Sequence, residues 1–292
     1  MIKILIIGGG GMLGHKLLQV LSKDFEIWTT IRSRIERYEK YNIFEKARTV
    51  ENLNVANYNT LENVIKEISP SIIINAVGVI KQLPDSKNVI NTLTVNSIFP
   101  HRLAEISKKY NSYLINVSTD CVFNGAKGNY RETDVADAFD LYGRSKNLGE
   151  VITENCLTIR TSIIGRELNT KHSLVEWFLS NRGHQIKGFV NAIFSGFPTI
   201  FLAEIISELI ARKNRLEGLY HVSSDPINKF ELLRLLKDEY KIDIKIEPFE
   251  DFKIDRSLNS EKFRKAVGFQ PKGWKEMIKK MVNDPFAYEK YK

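Results

Sequence analysis

Two cysteines, Cys121 and Cys156, are all that 292 residues contain, and no Cys-x-x-Cys spacing occurs. A disulfide framework of the secreted kind is therefore not expected. No segment approaches the roughly 18 uninterrupted apolar residues of a membrane-spanning helix. The apolar start at 1–7 is short and runs straight into glycines, without the longer apolar core and small-residue cleavage site of a signal peptide. His15, His101, His172, His184 and His221 show no metal-ligand spacing. Each reads as structural or solvated, and no metal is expected. Internal repeats and low-complexity linkers are missing as well. These absences point to a soluble protein of a reducing cytoplasm with no membrane partner.

Hydrophobic residues make up 43% of the chain, enough for a sizeable core. The formal net charge is +8, from 43 Lys and Arg against 35 Asp and Glu. The basic residues are scattered, with acids between them, so the excess reads as a solvated surface and no nucleic-acid partner is expected. An anionic small molecule is compatible with it.

Short apolar runs alternate with helical patterns through the first half. Strands are expected over 2–7, 26–31, 71–76, 113–118 and 157–161, and helices over 12–21, 61–68, 96–110 and 142–154. Strands joined by crossover helices imply a parallel sheet covered on both faces. The fold class is α/β, a doubly wound parallel (Rossmann) sheet. Beyond about 165 the rhythm loosens into helix-like stretches over 173–179, 201–211, 229–237, 260–267 and 274–281, with one more strand over 218–222. The expected division is a dinucleotide-binding domain over 1–165, completed by parts of 195–225, and a small, mostly helical substrate lobe over 166–292.

Gly8, Gly9, Gly10, Gly11 and Gly14 lie between the first strand and the first helix. The spacing can be taken as Gly-x-Gly-x-x-Gly from Gly9 or Gly-x-x-Gly-x-x-Gly from Gly8. Either lets a pyrophosphate approach the backbone and meet the free amides at the helix start. The second strand ends in Thr29-Thr30-Ile31-Arg32-Ser33-Arg34, without the acid that usually accepts from the ribose 2′-hydroxyl of NAD. Arg32, nearer the strand than Arg34, suits a 2′-phosphate, so NADP(H) is the expected cofactor.

Tyr142-Gly143-Arg144-Ser145-Lys146 places a phenol and an ammonium one helical turn apart. The ammonium is expected to lower the phenol pKa and make Tyr142 a usable general acid or base. The same Lys146 can reach the nicotinamide ribose. Upstream, the strand over 113–118 leads into Thr119-Asp120, and Thr119 is expected to polarise a carbonyl.

Several segments together carry a resemblance over nearly the whole chain. They are Gly8-Gly9-Gly10-Gly11-Met12-Leu13-Gly14, Ile74-Asn75-Ala76-Val77-Gly78, Val117-Ser118-Thr119-Asp120-Cys121-Val122-Phe123-Asn124-Gly125, Leu141-Tyr142-Gly143-Arg144-Ser145-Lys146, Ile159-Arg160-Thr161-Ser162 and Arg256-Ser257-Leu258-Asn259. The chain resembles the extended short-chain dehydrogenases/reductases, and among them the dTDP-4-dehydrorhamnose reductase branch. The resemblance implies Thr119, Tyr142 and Lys146 as the catalytic group. It implies that Gly8, Gly11, Met12, Leu13, Gly14, Ala76, Val77 and Gly78 line the cofactor together with Arg32, Tyr142 and Lys146. Asn54-Val55 stands where the family usually has an acid near the adenine. Thr119, Cys121, Val122, Phe123, Ile163 and Arg256 would face the sugar. Cys121 replaces the branch's usual Tyr, and Ile163 replaces an aromatic, so the sugar can differ from the rhamnose precursor.

The implied activity is NADPH-dependent reduction of the 4-keto group of a dTDP- or UDP-linked deoxysugar, for surface polysaccharide synthesis. The partner is the nucleotide sugar, and the reading allows a homodimer. An epimerase or 4,6-dehydratase is the second reading. Dehydratases of the superfamily carry Thr-Asp-Glu at the strand end, where this chain has Cys121, and Arg32 argues against a tightly held NAD. A non-catalytic regulatory subunit is the third, because the β-subunit of methionine adenosyltransferase resembles the same branch. The intact Thr119, Tyr142 and Lys146 set speaks against it.

Overall fold

Strand and helix alternate from the first residues in the computed structural model, which describes residues 1–81 and 84–291. Lys3–Ile7 (β1) leads to Met12–Leu21 (α1), Glu26–Thr30 (β2), Thr49–Val50 (β3), Tyr58–Ile68 (α2) and Ile72–Asn75 (β4). Val89–Leu93 (α3) and Phe99–Lys109 (α4) are joined by a π-helical turn over Thr94–Ile98. Tyr113–Thr119 (β5), Leu141–Leu148 (α5) and Cys156–Thr161 (β6) follow. Next come Ile163–Ile164 (β7), Leu174–Ser180 (α6), Gln185–Phe189 (β8), Ala192–Phe194 (β9), Phe197–Pro198 (β10) and Thr199–Ala211 (α7). Gly218–His221 (β11) then returns to pair with β6. Ile227–Asn228 (β12), Lys229–Tyr240 (α8), Lys245–Phe249 (β13), Ile254–Asp255 (β14), Glu261–Val267 (α9) and Trp274–Val282 (α10) complete the order.

The central sheet runs β11-β6-β5-β4-β1-β2-β3, and every pairing in it is parallel. This is the doubly wound sheet that the alternating pattern implies. Its apolar runs are continuous because both faces are covered. Ile4, Ile6, Ile72, Ile74, Ile115 and Ile159 pack with Leu13, Leu17 and Leu21 of α1 and with Ile206 of α7. The alternate residues Leu5, Ile7, Ile73 and Leu114 pack with Leu61 and Ile65 of α2 and Phe99 and Leu103 of α4. Truncating a fully buried leucine such as Leu17 to alanine costs about 2–5 kcal/mol.

Strand order reverses beside β1: the chain fills β2 and β3 on one side, then β4, β5 and β6 on the other. The carboxyl ends of β1 and β4 lie at this switch point, the usual ligand position in such sheets.

The structure departs from the sequence expectation at three places. The helix expected over 96–110 begins at Val89 and passes through the π turn, which rotates Asn96 inward. The helix expected over 142–154 stops at Leu148, and its C-cap Gly149 lies so close to the Asn96 carbonyl that a Cβ there would collide with it. Beyond 162, the chain adds three small sheets, β10-β7, β12-β9-β14 and β13-β8, to the expected helices. Among the described residues no helix is long and apolar enough to cross a membrane, and no group of acids, histidines and cysteines could hold a metal.

Candidate active site

The glycine turn follows β1 and sits at the switch point. Gly8 has φ +93, a conformation that glycine alone adopts without strain. Its amide and that of Gly9 donate to Thr30 of β2, at 3.3 Å to the hydroxyl and 2.8 Å to the carbonyl. A Cβ at Gly14 would collide with the Gly8 carbonyl, so turn and helix pack backbone to backbone. Gly11 is the exposed N-cap of α1, and no side chain caps the helix. Its first amides are left to a ligand or solvent. The end of β4 meets this turn: a Cβ on Gly8 would lie 2.8 Å from Cγ2 of Val77 and 3.4 Å from the backbone of Ala76.

Other expected cofactor residues scatter in exposure. Arg32, Asn54 and Gly78 are exposed, and Met12 is half-buried. Leu13 and Val55 are buried in the two core clusters. Their side chains pack the helix and the β3–α2 connection into the core, and what they offer a cofactor is backbone. Tyr38 and Phe44, which the sequence did not single out, lie over Gly10 and Gly9.

Thr119 ends β5, and Tyr142 stands in the first turn of α5, capped by Asp140 accepting from the Gly143 amide at 3.0 Å. The Thr119 hydroxyl acts on the Tyr142 phenol and draws its pKa down, against the larger effect of burial. Thr119 Oγ1 also donates to Asp120 at 3.1 Å and accepts from the Cys121 amide at 3.1 Å. One turn after Tyr142, the buried Lys146 donates to the Val117 carbonyl at 2.7 Å. Burial brings the Lys146 pKa down to about 8, against the pull of Glu150.

The expected lowering of the phenol pKa is not found. Burial pushes Tyr142 up, and Cys121 and Asp120 push the same way. The helical spacing brings Lys146 near, but its ammonium is spent on Val117. Lys81 is a second cation near the phenol, with Nζ 5.6 Å from the Tyr142 ring centroid and 2.8 Å from Asp140.

A buried polar floor lies beneath Lys146. Glu150 accepts from Arg160 at 2.6 and 2.7 Å and from Ser118 at 2.7 Å, and Arg160 contacts His221 at 3.3 Å. Asn96 ties the loop after β4 to α5: its amide bonds both backbone groups of Val79 and the Ser145 hydroxyl. Neither Glu150, Arg160 nor Asn96 was read as a site residue. The available signal was a charged or amide group in an otherwise apolar strand or helix face.

On the far side of Thr119, Cys121 is half-buried, and Arg256 reaches back to it. Arg256 Nε donates to the Phe123 carbonyl at 2.8 Å, and Nη1 lies 3.9 Å from Cys121 Sγ. Val122 and Phe123 are fully buried, and Phe123 stacks on Tyr130 at 4.1 Å. Their side chains pack in the core, and Phe123 turns its carbonyl to Arg256. Ile163 is half-buried and pairs with Phe197. Lys229 at the start of α8 is a further unforeseen residue. Its ammonium sits 4.2 Å over the Phe194 ring and acts electrostatically on Asp120 and Cys121.

The arrangement can hold a carbonyl oxygen between two hydroxyls, with a proton donor among them and a cation one turn away. Comparison with known proteins adds to this. A family described as "RmlD substrate binding domain" matches residues 2–286. The dTDP-4-dehydrorhamnose reductase of Aggregatibacter actinomycetemcomitans is 26% identical, covering 96% of this chain and 98% of that protein. The spore coat polysaccharide biosynthesis protein SpsK of Bacillus subtilis is 25% identical, with 97% and 98% covered. Among solved structures, the dTDP-4-dehydrorhamnose reductase of Bacillus anthracis in complex with NADP superposes with a TM-score of 0.79 at 22% identity, covering 98% of this chain and 100% of that one.

Proposed function

This chain belongs to the RmlD substrate binding domain family, and from that premise we propose that it uses NADPH to reduce the 4-keto group of a dTDP- or UDP-linked deoxysugar. The observation that carries the reading is the Thr119 hydroxyl acting on the Tyr142 phenol, with Lys146 one turn away on the same helix. The names of the two relatives, a dTDP-sugar reductase and a polysaccharide biosynthesis protein, support the substrate class. Residues 1–165, with the helix and edge strand at 199–221, form the cofactor half, and the rest of 166–292 forms the sugar lobe.

The cradle fits a dinucleotide on two counts. The first turn of α1 is uncapped, and a Cβ at Gly14 would displace the turn. Gly8, Gly11 and the first amides of α1 would hold the diphosphate, Arg32 the 2′-phosphate, and Ala76, Val77 and Gly78 the opposite wall. When bound, NADPH supplies the hydride.

The protein's own groups handle the oxygen. Thr119 and Tyr142 would both hydrogen-bond the substrate carbonyl, polarising it and fixing its orientation. As the carbonyl carbon is reduced, its oxygen becomes a strongly basic alkoxide, and Tyr142 gives it the phenolic proton. The raised pKa suits this role: the phenol is fully protonated at neutral pH, and the alkoxide is the stronger base. Lys146 would meet the ribose hydroxyls and the phenolate left behind. The product is a secondary alcohol.

An NADPH-oxidation screen against dTDP-, UDP- and GDP-linked 4-keto sugars tests the reading. Turnover is expected with a dTDP- or UDP-linked substrate. Tight NADPH binding without oxidation by any of them would overturn it.

A further inference from the structure

The chain end is tied to the cofactor cradle at several points. After α10, the residues from Asp284 to the short helix Tyr288–Tyr291 fold back onto α1. Tyr288 is 4% exposed, and its hydroxyl lies 2.6 Å from Nε2 of His15, which has no exposed surface. His15 Nδ1 lies 2.8 Å from the Gly11 carbonyl. A carbonyl only accepts, so Nδ1 carries a proton. In the neutral ring Nε2 then accepts from Tyr288, and the chain runs from Tyr288 through His15 to Gly11. That carbonyl also takes the first helical bond of α1, from the His15 amide at 3.1 Å.

The neighbouring contacts bind the same segment to both halves of the cradle. Lys16 of α1, 2% exposed, pairs with Asp284 at 2.5 Å, and its ammonium lies 5.2 Å from the Tyr288 ring centroid. Arg166 pairs with Glu289 at 2.6 Å. Lys40 donates to the Tyr291 carbonyl at 3.0 Å, and Tyr41 meets Tyr291 edge-on at 5.1 Å. Lys40 and Tyr41 belong to the helical turn Ile35–Tyr41, which follows Arg32 and places Tyr38 over Gly10. One terminal segment thus holds the first turn of α1 and the chain that leaves the second strand.

We propose that Tyr288 is a positioning residue for the dinucleotide: through His15 it sets the Gly11 carbonyl and with it the first amides of α1, so the chain end governs cofactor affinity and leaves sugar affinity alone. The inference rests on the reading that this turn binds NADP(H). The amides face the diphosphate, which NADPH and NADH share, so the effect must be the same for both. That separates Tyr288 from Arg32, whose contact is with the 2′-phosphate alone.

The test compares Tyr288→Phe, which keeps the ring and removes the donor, with Glu289→Gln, which loosens the pairing of an exposed glutamate with the buried Arg166 and leaves His15 untouched. Kd for NADPH and for NADH is measured on each full-length protein, well below its unfolding temperature. Tyr288→Phe is expected to weaken both cofactors equally, by about three- to tenfold, the range of one hydrogen bond. At saturating NADPH its kcat should match the unaltered protein, and Glu289→Gln should bind both cofactors normally. Hydrogen exchange on the unaltered protein gives an independent readout: NADPH should protect the peptide over 284–291 as well as the glycine turn. Unchanged Kd values with a lowered Tm, or protection confined to the turn, would overturn the proposal. An unaltered protein that binds neither cofactor would instead overturn the cofactor reading on which it rests.

Discussion

Backbone dominates on one side of Tyr142 and charged side chains on the other. The side proposed for the cofactor offers glycine amides, an uncapped helix end and the backbone of Ala76 and Val77. The side proposed for the sugar presents Asp120, Cys121, Arg256 and Lys229, gathered from segments far apart in the chain; Arg256 meets Phe123 across 133 residues. A backbone cradle depends on conformation and tolerates many side chains, so it serves the diphosphate of any dinucleotide and leaves the choice of NADPH over NADH to Arg32. A cluster of charges depends on residue identity, so it is where one substrate is told from another. Variants on the two sides should therefore separate cleanly, and those at Tyr142 should affect neither binding step but only the reaction that joins them.

The largest effect is expected at that junction. Tyr142→Phe keeps the ring and removes the proton donor. Turnover should fall by about two to four powers of ten, while NADPH and sugar-nucleotide Kd values stay within a few-fold. Single-turnover kinetics with separate binding titrations would check this. Near-normal NADPH oxidation on the true substrate would remove Tyr142 from the mechanism.

The alkaline pH response comes next, and it belongs to the cofactor side. Burial holds Lys146 at a pKa of about 8, below its ordinary value. The ammonium is charged below that pH and neutral above it. With Lys146 needed as a cation, kcat/KM should fall about tenfold per pH unit above roughly 8. Lys146→Ala should lower the whole profile and abolish that limb. A profile flat to pH 10 in the unaltered protein would show that the charge is not required.

The same division explains what could be read from the sequence. The glycine turn, the doubly wound order and the Tyr142–Lys146 spacing are local patterns, and local physics fixes them. The approach of Gly149, at the end of α5, to the Asn96 carbonyl joins distant segments, and so was illegible. Lys229 at a helix start reads as a surface lysine until β9, β12 and β14 assemble around it. Val122 and Phe123 sit in a stretch that matches the family, yet their burial is decided by Tyr130 and Leu258. The direction of the Tyr142 shift was missed because spacing gives proximity and does not say which acceptor the ammonium takes.

Arg32→Ala sharpens the comparison on the cofactor side alone. Losing a charge-assisted hydrogen bond to the 2′-phosphate should weaken NADPH by about 1.5–3 kcal/mol. NADH affinity and the sugar KM should be unchanged. Fluorescence titration of both cofactors decides it, and equal losses for the two would place Arg32 outside the phosphate contact.

The smallest effect is expected at Cys121, and it tests the sugar side alone. Burial and the neighbouring Asp120 push this thiol up to about 12, with Arg256 opposing. A raised thiol pKa means the proton stays on across the physiological range. At neutral pH the thiolate population is then on the order of a thousandfold below that of a free cysteine, whose pKa is near 8.5. Cys121 should therefore react very slowly with iodoacetamide at pH 8. Cys156 is no partner for it: both cysteines are free, and Cys156 is buried in β6. Cys121→Ser replaces one neutral group by another of similar shape, beside Arg256 Nη1. The sugar KM should shift by less than about tenfold, the worth of one neutral hydrogen bond gained or lost, with NADPH affinity unchanged. Rapid alkylation, or a fall in turnover as deep as that of Tyr142→Phe, would make Cys121 a reacting group. The division between a generic cofactor side and a selective sugar side would then have to be redrawn around the thiol.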